Sequence, residues 1–134
     1  MNSDLILIDT SAWVLYFRPP GNKKLIAHIK NILSEGIGAT AGIIMTELLL
    51  GTKTEREYTR LSEVLEALHY LETPEAIWYK VSKLGFILRR RGFSIPCTDL
   101  LIAQIALDNN CGILHADTHF DLIASHTNLK VVRK

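Results

Sequence analysis

A chain of 134 residues that is 48% apolar is long enough to bury a core of its own, and its length predicts one domain over residues 1–134. A formal charge of +1, from 15 basic and 14 acidic residues, excludes a global basic field for nucleic acid, so any such contact must come from a local patch. Cys97 and Cys111 lie far apart with no CxxC pattern, Asp4 and Asp9 interrupt the N-terminal apolar run, and no stretch reaches the ~20 apolar residues of a membrane span; a cytoplasmic protein with two packed free thiols is expected.

The first element is Leu5-Ile6-Leu7-Ile8, a continuous apolar, partly β-branched run that reads as a strand buried on both faces. It ends directly at Asp9-Thr10-Ser11. Pro19-Pro20-Gly21-Asn22 is turn chemistry, after which Leu25, Ile26, Ile29, Ile32 and Leu33 recur at helical spacing up to Gly36. Ile37 to Ala41 fits a second strand, and Ile43 to Leu50 a compact helix carrying Glu47 and stopped by Gly51. Tyr58, Leu61, Val64, Leu65 and Leu68 form a further helical stripe, with Glu57, Arg60, Glu63 and Glu66 on its solvated face. A weak strand is expected around His69 to Glu72. Pro74 suits the first position of a helix running to Arg91, where Gly92 ends it. Thr98 reads as the N-cap of a helix from Asp99 to Asn109. Gly112 to His115 is a short strand, Ala116 to His119 a turn, Phe120 to Ser125 a brief helix, and Lys130 to Val132 a closing edge strand. Strands alternating with helices define an α/β fold with a mainly parallel central sheet.

Four acids stand out. Asp9 and Asp117 directly follow predicted strands, where open α/β sheets place their chemistry, although an ordinary turn aspartate sits there too. Asp99 lies in the first turn of its helix, where the macrodipole alone favours a carboxylate. Glu47, flanked by Met45, Leu48, Leu49 and Leu50, is expected to be poorly solvated and to need a partner or a metal. Several carboxylates converging on one sheet edge repel one another unless a cation joins them. A hard divalent ion such as Mg²⁺ or Mn²⁺ takes oxygen ligands, keeps waters, and suits in-line attack of an activated water on a phosphodiester.

The segments Leu7-Ile8-Asp9-Thr10-Ser11, Thr46-Glu47-Leu48-Leu49-Leu50-Gly51, Thr98-Asp99-Leu100-Leu101-Ile102-Ala103 and Leu114-His115-Ala116-Asp117-Thr118-His119-Phe120-Asp121 together resemble the PIN domain. The likeness is closest to the VapC-type toxins of toxin–antitoxin pairs. Each segment is weak alone; the ordered set is specific. The resemblance implies a three-layer PIN-like fold and Asp9, Glu47, Asp99 and Asp117 as an acidic quartet around Mg²⁺ or Mn²⁺, with Ser11 as a hydroxyl lining the site. It also implies endoribonuclease activity on RNA, a homodimer and a small antitoxin partner. One position departs from the pattern: where many relatives carry a further Asp two residues after the fourth acid, this chain has His119, with Asp121 available for outer contacts.

Apolar surface on the helices Ile43 to Leu50 and Tyr58 to Leu68 marks the expected two-fold interface. The same region, with Trp13 and Phe17, is the expected groove for an antitoxin helix. Trp13, Tyr16 and Phe17 otherwise read as core packing, His115 and His119 as packing and turn residues, and Arg89-Arg90-Arg91 as a solvated helix end or an RNA phosphate patch. Two other classes fit the residues less well. A phosphoacceptor receiver domain needs a Lys soon after a late strand and an acidic pair near the first; no Lys follows Leu114 closely and Asp4 is too far from Asp9. A binding module that keeps the fold without the chemistry has no reason to retain all four acids.

Overall fold

The computed structural model describes residues 4–18 and 20–132. In chain order the elements are β1 (Ile6–Ile8), α1 (Thr10–Phe17), α2 (Lys23–Glu35), β2 (Gly38–Ala41), α3 (Gly42–Leu50), α4 (Glu55–Glu66), β3 (His69–Leu71), α5 (Ile77–Arg90), α6 (Cys97–Asp108), β4 (Gly112–Leu114), α7 (Thr118–His126) and β5 (Lys130–Val131). The strands form one parallel sheet in the order β3-β2-β1-β4-β5. β1 sits at its centre, with Ile6 opposite Gly38 on one side and Ile8 opposite Leu114 on the other. All four residues of β2 are buried, so helices cover both faces of the sheet, as the apolar runs of β1 and β2 require.

Local chemistry explains most boundaries. Asn22 caps α2 by accepting the Leu25 N–H at 3.1 Å, and Gly36, at φ 70°, closes it in the left-handed conformation that costs glycine least. Thr54 caps α4 through the Glu57 N–H at 3.1 Å. The Pro19 end of the expected turn lies outside the described residues.

Several expectations need correction. α1 was not foreseen as a helix: its residues are apolar on every side, so no period marks it, yet Asp9 caps it and Trp13 stacks on Phe17 one turn later with ring centroids 5.6 Å apart. α5 begins at Ile77 and not at Pro74, whose carbonyl instead accepts the Ile77 N–H at 3.0 Å in a turn leading into the helix. Thr98 is inside α6; the cap is Pro96, whose carbonyl accepts the N–H groups of Asp99 and Leu100, both at 3.1 Å. α7 starts at Thr118, because Asp117 caps it. Cys111 is buried as expected, but Cys97 is exposed. Trp13 is fully buried and therefore belongs to the core. Among the described residues no helix is long and apolar enough to cross a membrane.

Candidate active site

The sheet order places β1 between β2 and β4, which were laid down on opposite sides of it. The crevice beyond the carboxyl ends of such strands is where open α/β sheets form their sites. Asp9 leaves β1 directly into that crevice. It is only 3% exposed, a severe setting for a carboxylate. One oxygen, Oδ2, accepts the Ser11 N–H at 2.9 Å and the Ser11 hydroxyl at 2.5 Å. The other, Oδ1, is buried with no hydrogen-bond partner among the described residues. Burial raises the Asp9 pKa above the ordinary carboxylate value; the Ser11 hydrogen bonds pull it back, and the nearby charge of Asp99 pushes it up further. Desolvation, and not the neighbouring charge, leads this shift.

Ser11 also ties two strands' ends together. Its Oγ donates to Asp9 and accepts the Ala116 N–H at 2.9 Å, while the Asp9 N–H donates to the Leu114 carbonyl at 2.9 Å. The loop after β4 is thereby fastened to the β1 carboxylate. Within that loop His115, 4% exposed, accepts the Asp117 N–H on Nδ1 at 3.0 Å. That leaves the proton of neutral His115 on Nε2, facing Asp121 Oδ1 at 3.2 Å.

Asp99, in the first turn of α6, and Asp117, capping α7, meet at His119. Asp117 Oδ1 accepts the His119 N–H at 2.9 Å and lies 3.3 Å from its Nδ1; the same Nδ1 is 2.7 Å from Asp99 Oδ2. Ligand atoms of Asp99, Asp117 and His119 all fall within 4.8 Å of one another. Asp9 adjoins this group through its interaction with Asp99. Asp99, Asp117 and His119 are the donors gathered closely enough for one cation; Asp9 is not in that group of three, and its buried Oδ1 is left unsatisfied near Asp99.

Glu47 is placed differently from expectation. It is exposed, because α3 turns Ile44 and Leu48 inward and leaves Thr46 and Glu47 on the outer side. Its Oε1 accepts the Thr10 hydroxyl at 2.8 Å, which holds it at the start of α1, next to Asp9 in sequence. Asp121 faces His115 and not the acidic cluster. Two residues were undervalued from sequence: Thr10, and His119, whose signal was its place two residues after a capping Asp, as Ser11 is after Asp9.

A parallel α/β sheet with a buried carboxylate at its switch point, joined by acids from two helix N-termini, defines a class of acid-lined hydrolytic domains. The PIN domain family model matches residues 6–125, and the VapC ribonuclease Mb1587 of Mycobacterium bovis is 35% identical over 130 residues, 94% of this chain and 96% of that protein. The chain belongs to the PIN domain family and, within it, groups with the VapC ribonucleases. Solved structures share the fold: FitAcB from Neisseria gonorrhoeae, at TM-score 0.79 and 21% identity, covers 96% of this chain and 97% of its own. VapBC2 from Rickettsia felis, bound to a promoter DNA fragment, has TM-score 0.77 and 19% identity, with 96% and 97% covered.

Proposed function

We infer that the protein is a metal-dependent endoribonuclease, the toxin of a toxin–antitoxin pair, that hydrolyses RNA phosphodiesters. The observation carrying the metal requirement is the buried, half-satisfied Asp9 carboxylate beside Asp99. Asp9, Asp99 and Asp117 would hold the ion, Mg²⁺ or Mn²⁺, which when bound would supply an activated water and screen the phosphate charge. Ser11 fixes the rotamer of Asp9 through Oδ2 and leaves Oδ1 without a hydrogen-bond partner among the described residues. The Ser11–Ala116 bond keeps the loop bearing Asp117 in register with β1. Glu47, oriented by Thr10 and open to solvent, is positioned to meet substrate and to accept a proton at the mouth of the site.

The matched relatives are named ribonucleases, and the structural neighbours include VapBC toxin–antitoxin complexes. The antitoxin segment docks in a groove of about 730 Å³ between α1, α3 and α4, floored by Val14, Phe17, Leu48, Leu61 and Val64 and edged by Arg18 and Arg60. Homodimerisation uses the apolar outer side of the same α3–α4 region, where Leu50 is 81% exposed. A cytoplasmic location goes with this activity. The deciding experiment is cleavage of a defined RNA with Mg²⁺ or Mn²⁺ against EDTA, alongside Asp9→Asn. Metal-dependent cleavage lost in the variant supports the reading; undiminished metal-free cleavage by Asp9→Asn overturns it.

A further inference from the structure

We propose that His119 is itself a ligand of the cation, through Nδ1, making the site a mixed oxygen–nitrogen centre that selects Mn²⁺ over Mg²⁺. The proposal rests on the metal-dependent reading above and deepens it. Three features carry it. First, Nδ1 of His119 stands 2.7 Å from Asp99 Oδ2 and 3.3 Å from Asp117 Oδ1. These values straddle the roughly 3 Å that separates neighbouring ligand atoms around an ion bound at about 2.1 Å. Second, the residue is anchored: the backbone N–H of His119 donates to Asp117 Oδ1 at the start of α7, which fixes where its side chain leaves the chain. Third, one member of the cluster, Asp99, is close enough to the Asp9 carboxylate for its charge to be felt there, and Asp9 is 3% exposed with its Oδ1 unpartnered among the described residues.

The consequence is chemical selectivity. Mg²⁺ prefers all-oxygen shells, whereas imidazole nitrogen is a better donor to first-row transition ions, with affinity rising from Mn²⁺ onward in the usual order. Replacing a carboxylate corner by a neutral nitrogen also lowers the negative charge of the site by one, which weakens its hold on a hard ion most. His119 thereby trades some Mg²⁺ affinity for Mn²⁺.

The test loads the full chain with Mn²⁺ and reads electron spin echo modulation, in which a directly bound imidazole ¹⁴N gives a distinct coupling. Wild type is expected to show that coupling, and His119→Asp and His119→Gln to lack it. In parallel, titrations of Mn²⁺ and of Mg²⁺ followed by melting give a Kd for each ion. The Mn²⁺ preference of wild type should fall by about tenfold in His119→Asp, the low end of what loss of a partner does to affinity at a metal centre. Mn²⁺ binding without nitrogen coupling, or coupling that survives in His119→Asp, makes His119 an ion-pair partner of Asp99 and overturns the proposal while leaving the nuclease reading intact. No stabilisation by either ion overturns both. The wild-type spectrum decides the matter even if a variant fails to fold.

Discussion

The junctions β1–α1 and β4–α7 are built from the same short pattern and end in different chemistry. In both, an aspartate caps a helix and accepts the N–H two residues on at 2.9 Å: Asp9 from Ser11, Asp117 from His119. In both, the middle residue is a threonine. Asp9 follows its strand at once and is buried, whereas His115 and Ala116 intervene before Asp117, carrying it outward until its side chain is 33% exposed. The residue after the threonine then separates the two. Ser11 turns back to its own aspartate, while His119 reaches across to Asp99 on another helix. A capping aspartate is therefore a scaffold at either place, and two residues of spacing decide whether its carboxylate is held in a dry setting or shared among elements.

The sharpest way to break the comparison is charge removal at each cap. Asp9→Asn preserves capping but removes the buried charge, and RNA cleavage should fall by about 10³-fold or more, with the melting response to Mn²⁺ abolished. Asp117→Asn should cost less, because its group shares the corner with His119; comparable losses would erase the distinction.

The second prediction concerns pH. With its folded pKa raised, Asp9 binds more protons in the native state than in the unfolded chain between its unfolded and folded pKa values. Its stabilising contribution is complete below the unfolded value and is lost as pH rises through the folded one. In EDTA, Asp9→Asn should therefore be more stable than wild type at neutral pH by roughly 0.5–2 kcal/mol and show a flatter acid-side profile in melts. A variant less stable than wild type throughout would mean that Ser11 more than offsets burial.

Ser11→Ala sharpens the stitch between the two junctions. It removes the hydroxyl that serves Asp9 and the Ala116 N–H together, and denaturant unfolding should show a loss of about 1 kcal/mol, with cleavage reduced as the Asp117 loop loosens. The smallest effect belongs to Thr10→Val. It frees the exposed Glu47, so stability should change by less than about 0.5 kcal/mol while kcat falls measurably. An unchanged kcat would remove Glu47 from the mechanism.

Sequence made the sheet legible wherever apolar runs met turn residues, and Asp9 was legible because it abuts such a run. Where a segment is apolar on all sides, period carries no information. α1 was missed for that reason, and Glu47 was misjudged as poorly solvated because α3 gave no sign of which side faces out. Helix starts failed where backbone carbonyls, not side chains, do the capping, as at Pro96. His119 was undervalued because its meeting with Asp99, 20 positions away, is made by the packing of α6 on α7 and leaves no local trace.

The bond between Ser11 and Ala116 joins residues 105 positions apart, and the central strand has its β4 partner equally far along the chain. Ribosomes add roughly 5–20 residues per second, so β1 waits for several seconds as an apolar segment before β4 exists to pair with it. Loop closure over that span makes the pairing slow once both are present. Asp9 can meet Ala116 and the Asp117 loop only after residue 117 has been synthesised. A truncated product ending before β4 carries Asp9 and Asp99 without Asp117 and His119.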